Sequence, residues 1–128
     1  MQESLKSVSD VMRSGVVSVS ESTSLDAVAR VMREHHVHGV LVIADDGEPL
    51  GWVTARGLLG HPAAQWRRLD ARQALSEPCV RVVPSTSVSE AIHVLLGAEA
   101  THLAVIRPGS RTPDGVVSDI DLVAHLTR

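Results

Sequence analysis

Hydrophobic and polar positions along this chain follow one succession of patterns, and that succession is written twice. Val17-Ser18-Val19 alternates with period two, as a short half-buried strand does. A Ser/Thr cluster follows. Leu25, Val28, Ala29, Val31 and Met32 then recur at helical spacing behind Ser24, a natural N-cap, with Asp26 in the first turn. Val40 to Ala44 is a short unbroken apolar run, as in a strand covered on both sides. Asp45-Asp46-Gly47 carries a hairpin signal, Leu50 to Val53 reads as a third strand, and the hydroxyl of Thr54 opens a final helix. The second pass runs from Val80-Arg81-Val82-Val83 through the helical stripe Val88, Ala91, Ile92 and Leu95 behind Ser87. It continues with the apolar run Leu103 to Ile106, a longer loop from Arg107 to Gly115, Val116-Val117, and a helix carrying Leu122, Val123 and Leu126 after Ser118. Each half predicts β-α-β-β-α.

An offset of 63 lays VSVSESTSLDAVARVM, from Val17, on VRVVPSTSVSEAIHVL, from Val80. Beyond that block an offset of 64 pairs His38 with His102, Val42 with Ile106, Gly51 with Gly115, Val53 with Val117 and Thr54 with Ser118. A unit of about 60 residues hides only roughly 60% of its unfolded surface. The expected fold is therefore α/β, with two pseudo-twofold-related β-α-β-β-α repeats packed through their sheets: repeat one at 7–60, a linker at 61–70, repeat two at 71–128. In the linker HPAAQWRRLD, Trp66 is expected to pack against the body and Arg67-Arg68 to stay solvated.

Composition narrows the function classes. With no Phe, no Tyr and two Trp, the core must be aliphatic. A net charge of −3 with scattered arginines argues against a nucleic-acid partner. Cys79 is the one cysteine, which excludes an intramolecular disulfide and a cysteine zinc cluster and suits a reducing compartment. No apolar run approaches the ~20 residues that span a membrane, and the start of the chain lacks a secretion-signal core, so a cytoplasmic location without a membrane partner is expected. His35, His36 and His38 sit at a helix–strand junction without a carboxylate pair at ligand spacing, so no metal site is expected there. Gly-x-Ser-x-Gly, P-loop and Gly-x-Gly-x-x-Gly motifs are absent, which argues against an enzyme and against a required cofactor.

The repeat, together with the terminal Gly-x-x-(Ser/Thr)-x-x-Asp met by Gly115, Ser118 and Asp121, resembles the tandem cystathionine-β-synthase-like (CBS) domain, or Bateman module, over nearly the whole chain. The resemblance implies a sensor of an adenosyl ligand such as AMP, ADP, ATP or S-adenosylmethionine, commonly a homodimer, in which the motif hydroxyl approaches phosphate and its Asp holds the ribose hydroxyls. Those roles fall on Ser118 and Asp121. A carboxylate suits a vicinal diol, because it accepts from both hydroxyls. A helix N-terminus suits phosphate. Cys79, Val80 and Arg81 with Thr101, His102, Leu103 and Ala104 are candidates for the adenine slot, and Arg81 also for phosphate. A ligand-facing His102 would make binding pH-sensitive. Asp119 in the same turn opposes phosphate. The same Ser118 and Asp121 also spell a capping box, and both readings stand.

The first repeat departs from the motif: Thr54 keeps the hydroxyl, but Gly57 stands in place of the acid. A weaker first site is expected around Thr54, Arg56, Val17, His38 and Gly39. The functional expectation is a stand-alone regulatory module that binds an adenosyl ligand mainly in the second repeat and signals to another chain. The alternative is a ligand-free dimerisation or protein-interaction scaffold with degenerate sites.

Overall fold

The structure, a computed structural model, describes residues 6–127. In chain order it contains α1 (Val8–Val11), β1 (Arg13–Ser14), β2 (Ser18–Ser20), α2 (Leu25–His35), β3 (Gly39–Ile43), β4 (Pro49–Thr54) and α3 (Ala55–Leu59). Then follow β5 (Glu77–Pro78), β6 (Arg81–Val82), α4 (Val88–Gly97), β7 (His102–Val105), β8 (Gly115–Ser118) and α5 (Asp119–Leu126). Both predicted β-α-β-β-α successions are present, as β2-α2-β3-β4-α3 and β6-α4-β7-β8-α5. The architecture is mixed α/β with two four-stranded sheets, in orders β2-β3-β4-β5 and β1-β8-β7-β6.

Each sheet belongs to its own compact unit. In the unit Val17–Cys79, α2 lays Leu25, Val28 and Met32 on Val19, Val40, Val42 and Val53. In the unit made of the chain up to Val16 and from Val80 onward, α4 lays Val88, Ala91 and Leu95 on Val82, Leu103, Val105 and Val117. Burying such an aliphatic side chain contributes about 1.5–3 kcal/mol, so these helix stripes anchor their sheets through aliphatic packing. No helix among the described residues is long and apolar enough to cross a membrane.

The sequence repeats at 7–60 and 71–128 are not the compact units of the fold. The short strand near the start of each repeat, ahead of its β-α-β-β-α succession, pairs with the last strand of the other: β1 with β8 through Arg13↔Val116 and Ser14↔Gly115, and β5 with β4 through Glu77↔Trp52 and Pro78↔Gly51. Two-residue strands carry too little periodicity to be read from sequence. The motif glycine explains itself here, because a Cβ on Gly115 would lie 2.6 Å from both the Arg13 carbonyl oxygen and Met12 Sδ.

Strand register also corrects the repeat alignment. His102 faces Ser118 as Gly39 faces Thr54, and Ala55 donates its N–H to His38 O as Asp119 does to Thr101 O. The offset therefore stays at 63 through β7 and becomes 64 only after the longer β7–β8 loop. His38 corresponds to Thr101, and His102 to Gly39. The linker behaves as expected of Trp66, which is half-buried against the first core with Nε1 donating to His61 O at 2.8 Å. Trp66 and Leu69 carbonyls both accept the Leu25 N–H at 3.0 Å, closing the start of α2. Ser24 holds the N-cap position without capping, since its hydroxyl donates to Asp26 Oδ1 at 2.6 Å. That bond, first among several, holds the Asp26 carboxyl below its ordinary value.

Candidate functional site

The end of β8 delivers Ser118 in extended backbone, from which α5 starts. Ser118 Oγ accepts the Asp121 N–H at 3.3 Å, and Asp121 Oδ2 accepts the Ser118 N–H at 2.9 Å, so the capping box is complete. The other carboxylate oxygen, Oδ1, lies 3.3 Å from Arg13 Nε. The Asp121 side chain is 12% exposed and that of Arg13 62%. Across the ladder from Ser118 stands half-buried His102, whose Nδ1 is 2.8 Å from Thr101 Oγ1. Thr101, His102, Ser118, Asp121 and Arg13 thus gather at one end of the second unit's sheet.

The expected helix-terminus phosphate cradle is closed. Asp119 N–H donates to Thr101 O at 2.9 Å, Ile120 N–H to Asp119 Oδ1 at 2.7 Å, and Asp121 N–H to Ser118 Oγ. Every donor of the first turn has a protein partner, as orphan N–H groups at helix starts require.

The predicted adenine-slot residues divide between two faces. Leu103 is fully buried in the aliphatic core and Val80 packs against that core, so their side chains point away from Ser118. Ala104 and Arg81 are register partners on the face opposite the core, Ala104 buried and Arg81 exposed. Cys79 is half-buried at the end of the first unit's stretch.

In the first repeat Thr54 caps α3, its Oγ1 accepting the Gly57 N–H at 3.0 Å. The backbone N–H that Ser118 gives to its acid goes here from Thr54 to Ser76 Oγ at 3.3 Å, and that hydroxyl donates to Ala74 O at 3.1 Å. A Cβ on Gly57 would collide with the Ser76 hydroxyl and lie 2.8 Å from Ser76 Cβ. The position of the missing acid is filled from the chain itself. Gly39 lies buried opposite Thr54, Val17 packs on the core, and Arg56 and His38 are exposed. A shallow groove of about 330 Å³ in this unit lies beside α2, lined by Asp26, Ala29, Arg30, Arg33 and Trp66, and includes neither motif. Among the described residues no three His, Cys, Asp or Glu side chains converge as metal ligands. His35 Nδ1 lies 3.0 Å from Val31 O, and His36 ends α2 in left-handed backbone.

Arg13 and Ser76 escape sequence reading because each acts from the short segment at the start of a repeat, ahead of its β-α-β-β-α succession. The one available signal is the offset of 64 that makes Arg13 the counterpart of Glu77, on equivalent strands of equal register.

A family model described as CBS domain matches this chain twice, at residues 8–63 and 71–128. Hypoxic response protein 1 of Mycobacterium tuberculosis is 28% identical over 122 residues, 91% of this chain and 82% of that one. An uncharacterised protein of Methanopyrus kandleri is 28% identical over 103 residues, and this chain spans about half of its length, 53%. Among solved structures, the CBS domain of a bacterial CNNM/CorC family Mg2+ transporter in complex with ATP superposes with a TM-score of 0.85 at 15% identity, covering 98% of this chain and 90% of that one. With the duplicated β-α-β-β-α unit and the complete motif at Gly115, Ser118 and Asp121, these matches place the chain in the CBS-domain family, which it represents as a tandem pair.

Proposed function

We propose that this chain is a regulatory rather than catalytic module, acting in the cytoplasm, that binds an adenosyl ligand such as AMP, ADP, ATP or S-adenosylmethionine at the second repeat and signals occupancy to another chain. The observation that carries this reading is the Asp121 carboxylate. One oxygen secures the helix start, and the other is held, among the described residues, by an exposed arginine. That second oxygen suits a ribose diol, for which each charge-assisted bond contributes about 1.5–3 kcal/mol. Thr101, His102 and Ser118 supply neighbouring polar atoms. ATP bound by the CNNM/CorC relative supports the ligand class.

The first repeat favours a partly degenerate scaffold, because Ser76 fills the place of its acid. One ligand per chain is the resulting stoichiometry. A homodimer belongs to this reading: Leu96, Ile120, Val123 and Leu126 on α4 and α5 are each more than half exposed and suit a second copy of the same aliphatic surface. Thermal unfolding with AMP, ADP, ATP and S-adenosylmethionine tests the function. A bound ligand at about 100 times its Kd adds roughly 2.7 kcal/mol. A shift with at least one of the four that disappears in Asp121→Ala is expected, and no shift with any of them contradicts the proposal.

A further inference from the structure

Arg13 is unnecessary for the helix start it touches. The capping box between Ser118 and Asp121 is complete without it, and its guanidinium contacts the oxygen the box leaves over, Asp121 Oδ1, through Nε, one of five N–H donors. An ion pair with one partner 62% exposed adds little to stability, so it breaks at small cost. The first turn of α5 offers phosphate no open donor, since its N–H groups are committed to Thr101 O, Asp119 Oδ1 and Ser118 Oγ, and Asp119 adds a negative charge.

The duplicated fold supplies an internal control. At the position of Arg13 the unit Val17–Cys79 carries Glu77, in the same register against Trp52 as Arg13 against Val116, and at the position of Asp121 it carries Gly57. The arginine and the acid occur together in one compact unit, and both are missing from the other.

We propose that Arg13 makes the second-repeat site selective for a phosphorylated ligand, covering Asp121 Oδ1 while the site is empty and turning to the ligand's phosphate when the ribose diol takes that oxygen. This rests on the adenosyl-binding reading above. The exchange leaves neither charged group without a partner: Asp121 trades a guanidinium for two hydroxyl donors, and Arg13 trades a carboxylate for a phosphate, which its planar fork fits equally well. An uncharged nucleoside or a cationic sulfonium ligand gives Arg13 nothing in return and must displace it uncompensated.

Calorimetric titration of wild type, Arg13→Gln and Arg13→Lys with AMP and with adenosine separates the two ideas. Arg13→Gln is expected to weaken AMP about tenfold or more. It should leave adenosine unchanged or bind it more tightly, and Arg13→Lys should keep part of the preference for AMP. If both ligands bind wild type and Arg13→Gln alters them by the same factor, Arg13 is not selective and the adenosyl reading survives. If wild type binds neither, both fall.

Discussion

Ser76 Oγ accepts the backbone N–H of Thr54 at 3.3 Å, which is the task that Asp121 Oδ2 performs for Ser118 at 2.9 Å. A hydroxyl from the start of the second repeat thus takes the place that a carboxylate from within the helix holds in the other unit. Because it also fills the space beside Gly57, restoring the acid alone must fail. Gly57→Asp is expected to destabilise the protein by about 1–3 kcal/mol through overpacking. Adding Ser76→Gly should recover most of the loss in a denaturant melt. Equal stability of the single and double variants would show that Ser76 is not what excludes the side chain.

Both α2 and α4 are followed by a residue in left-handed backbone, His36 and Glu99, each at φ 54°, and neither is glycine. The left-handed conformation costs a side-chain-bearing residue about 1–2 kcal/mol, of which glycine's greater unfolded freedom returns about 0.5–1. Glu99→Gly is expected to raise stability by about 0.5–1 kcal/mol, read as a higher denaturation midpoint at unchanged m-value. A lowered midpoint would mean that the Glu99 side chain makes a compensating contact.

Glu21 ties the β3–β4 turn to the segment after the linker: its carboxylate accepts Asp45 N–H at 2.9 Å and Arg72 Nη1 at 2.7 Å. The Asp45 N–H first, and then Arg72, hold its pKa below the ordinary 4.5. A depressed carboxylate contributes stability that is fully present above its unfolded pKa and is lost as pH falls through the folded value. Glu21→Gln should therefore lower Tm at pH 7, with the gap to wild type closing as the solution is acidified below about 4.5. Parallel Tm curves down to low pH would rule this out.

The aliphatic surface of α4 and α5 predicts self-association. Val123→Glu, at a position more than half exposed, should halve the mass measured by light scattering while leaving the far-UV circular dichroism of the folded chain unchanged. An unchanged mass, or a wild type that is already monomeric, removes that surface from the interface.

The elements of each repeat were legible in the sequence because long helix stripes and continuous strand runs carry their own period. Val28, Met32, Val40 and Val53 face the core as their spacing requires. β1, β5 and the pairing of each with the other repeat's sheet were not legible, since two residues define no period and strand exchange leaves no local mark. The one-residue change of register is hidden for a related reason: the identity of His38 and His102 matches at an offset of 64, whereas the extra residue lies in the β7–β8 loop. At the site, the motif located Ser118 and Asp121 but could not show that Arg13 covers the acid, or that Thr101 O, Asp119 Oδ1 and Ser118 Oγ satisfy the first turn.

The central claim is that one acid in the second repeat captures a ribose. Asp121→Asn keeps an oxygen to accept the Ser118 N–H and removes the charge, so it separates the helix start from ligand capture. Calorimetric titration of wild type and Asp121→Asn with AMP, at equal thermal stability, is the most direct measurement. The expected result is one AMP per chain for wild type and affinity weakened by about tenfold or more for the variant. Unchanged affinity in Asp121→Asn, or two equivalent sites per chain in wild type, would contradict it.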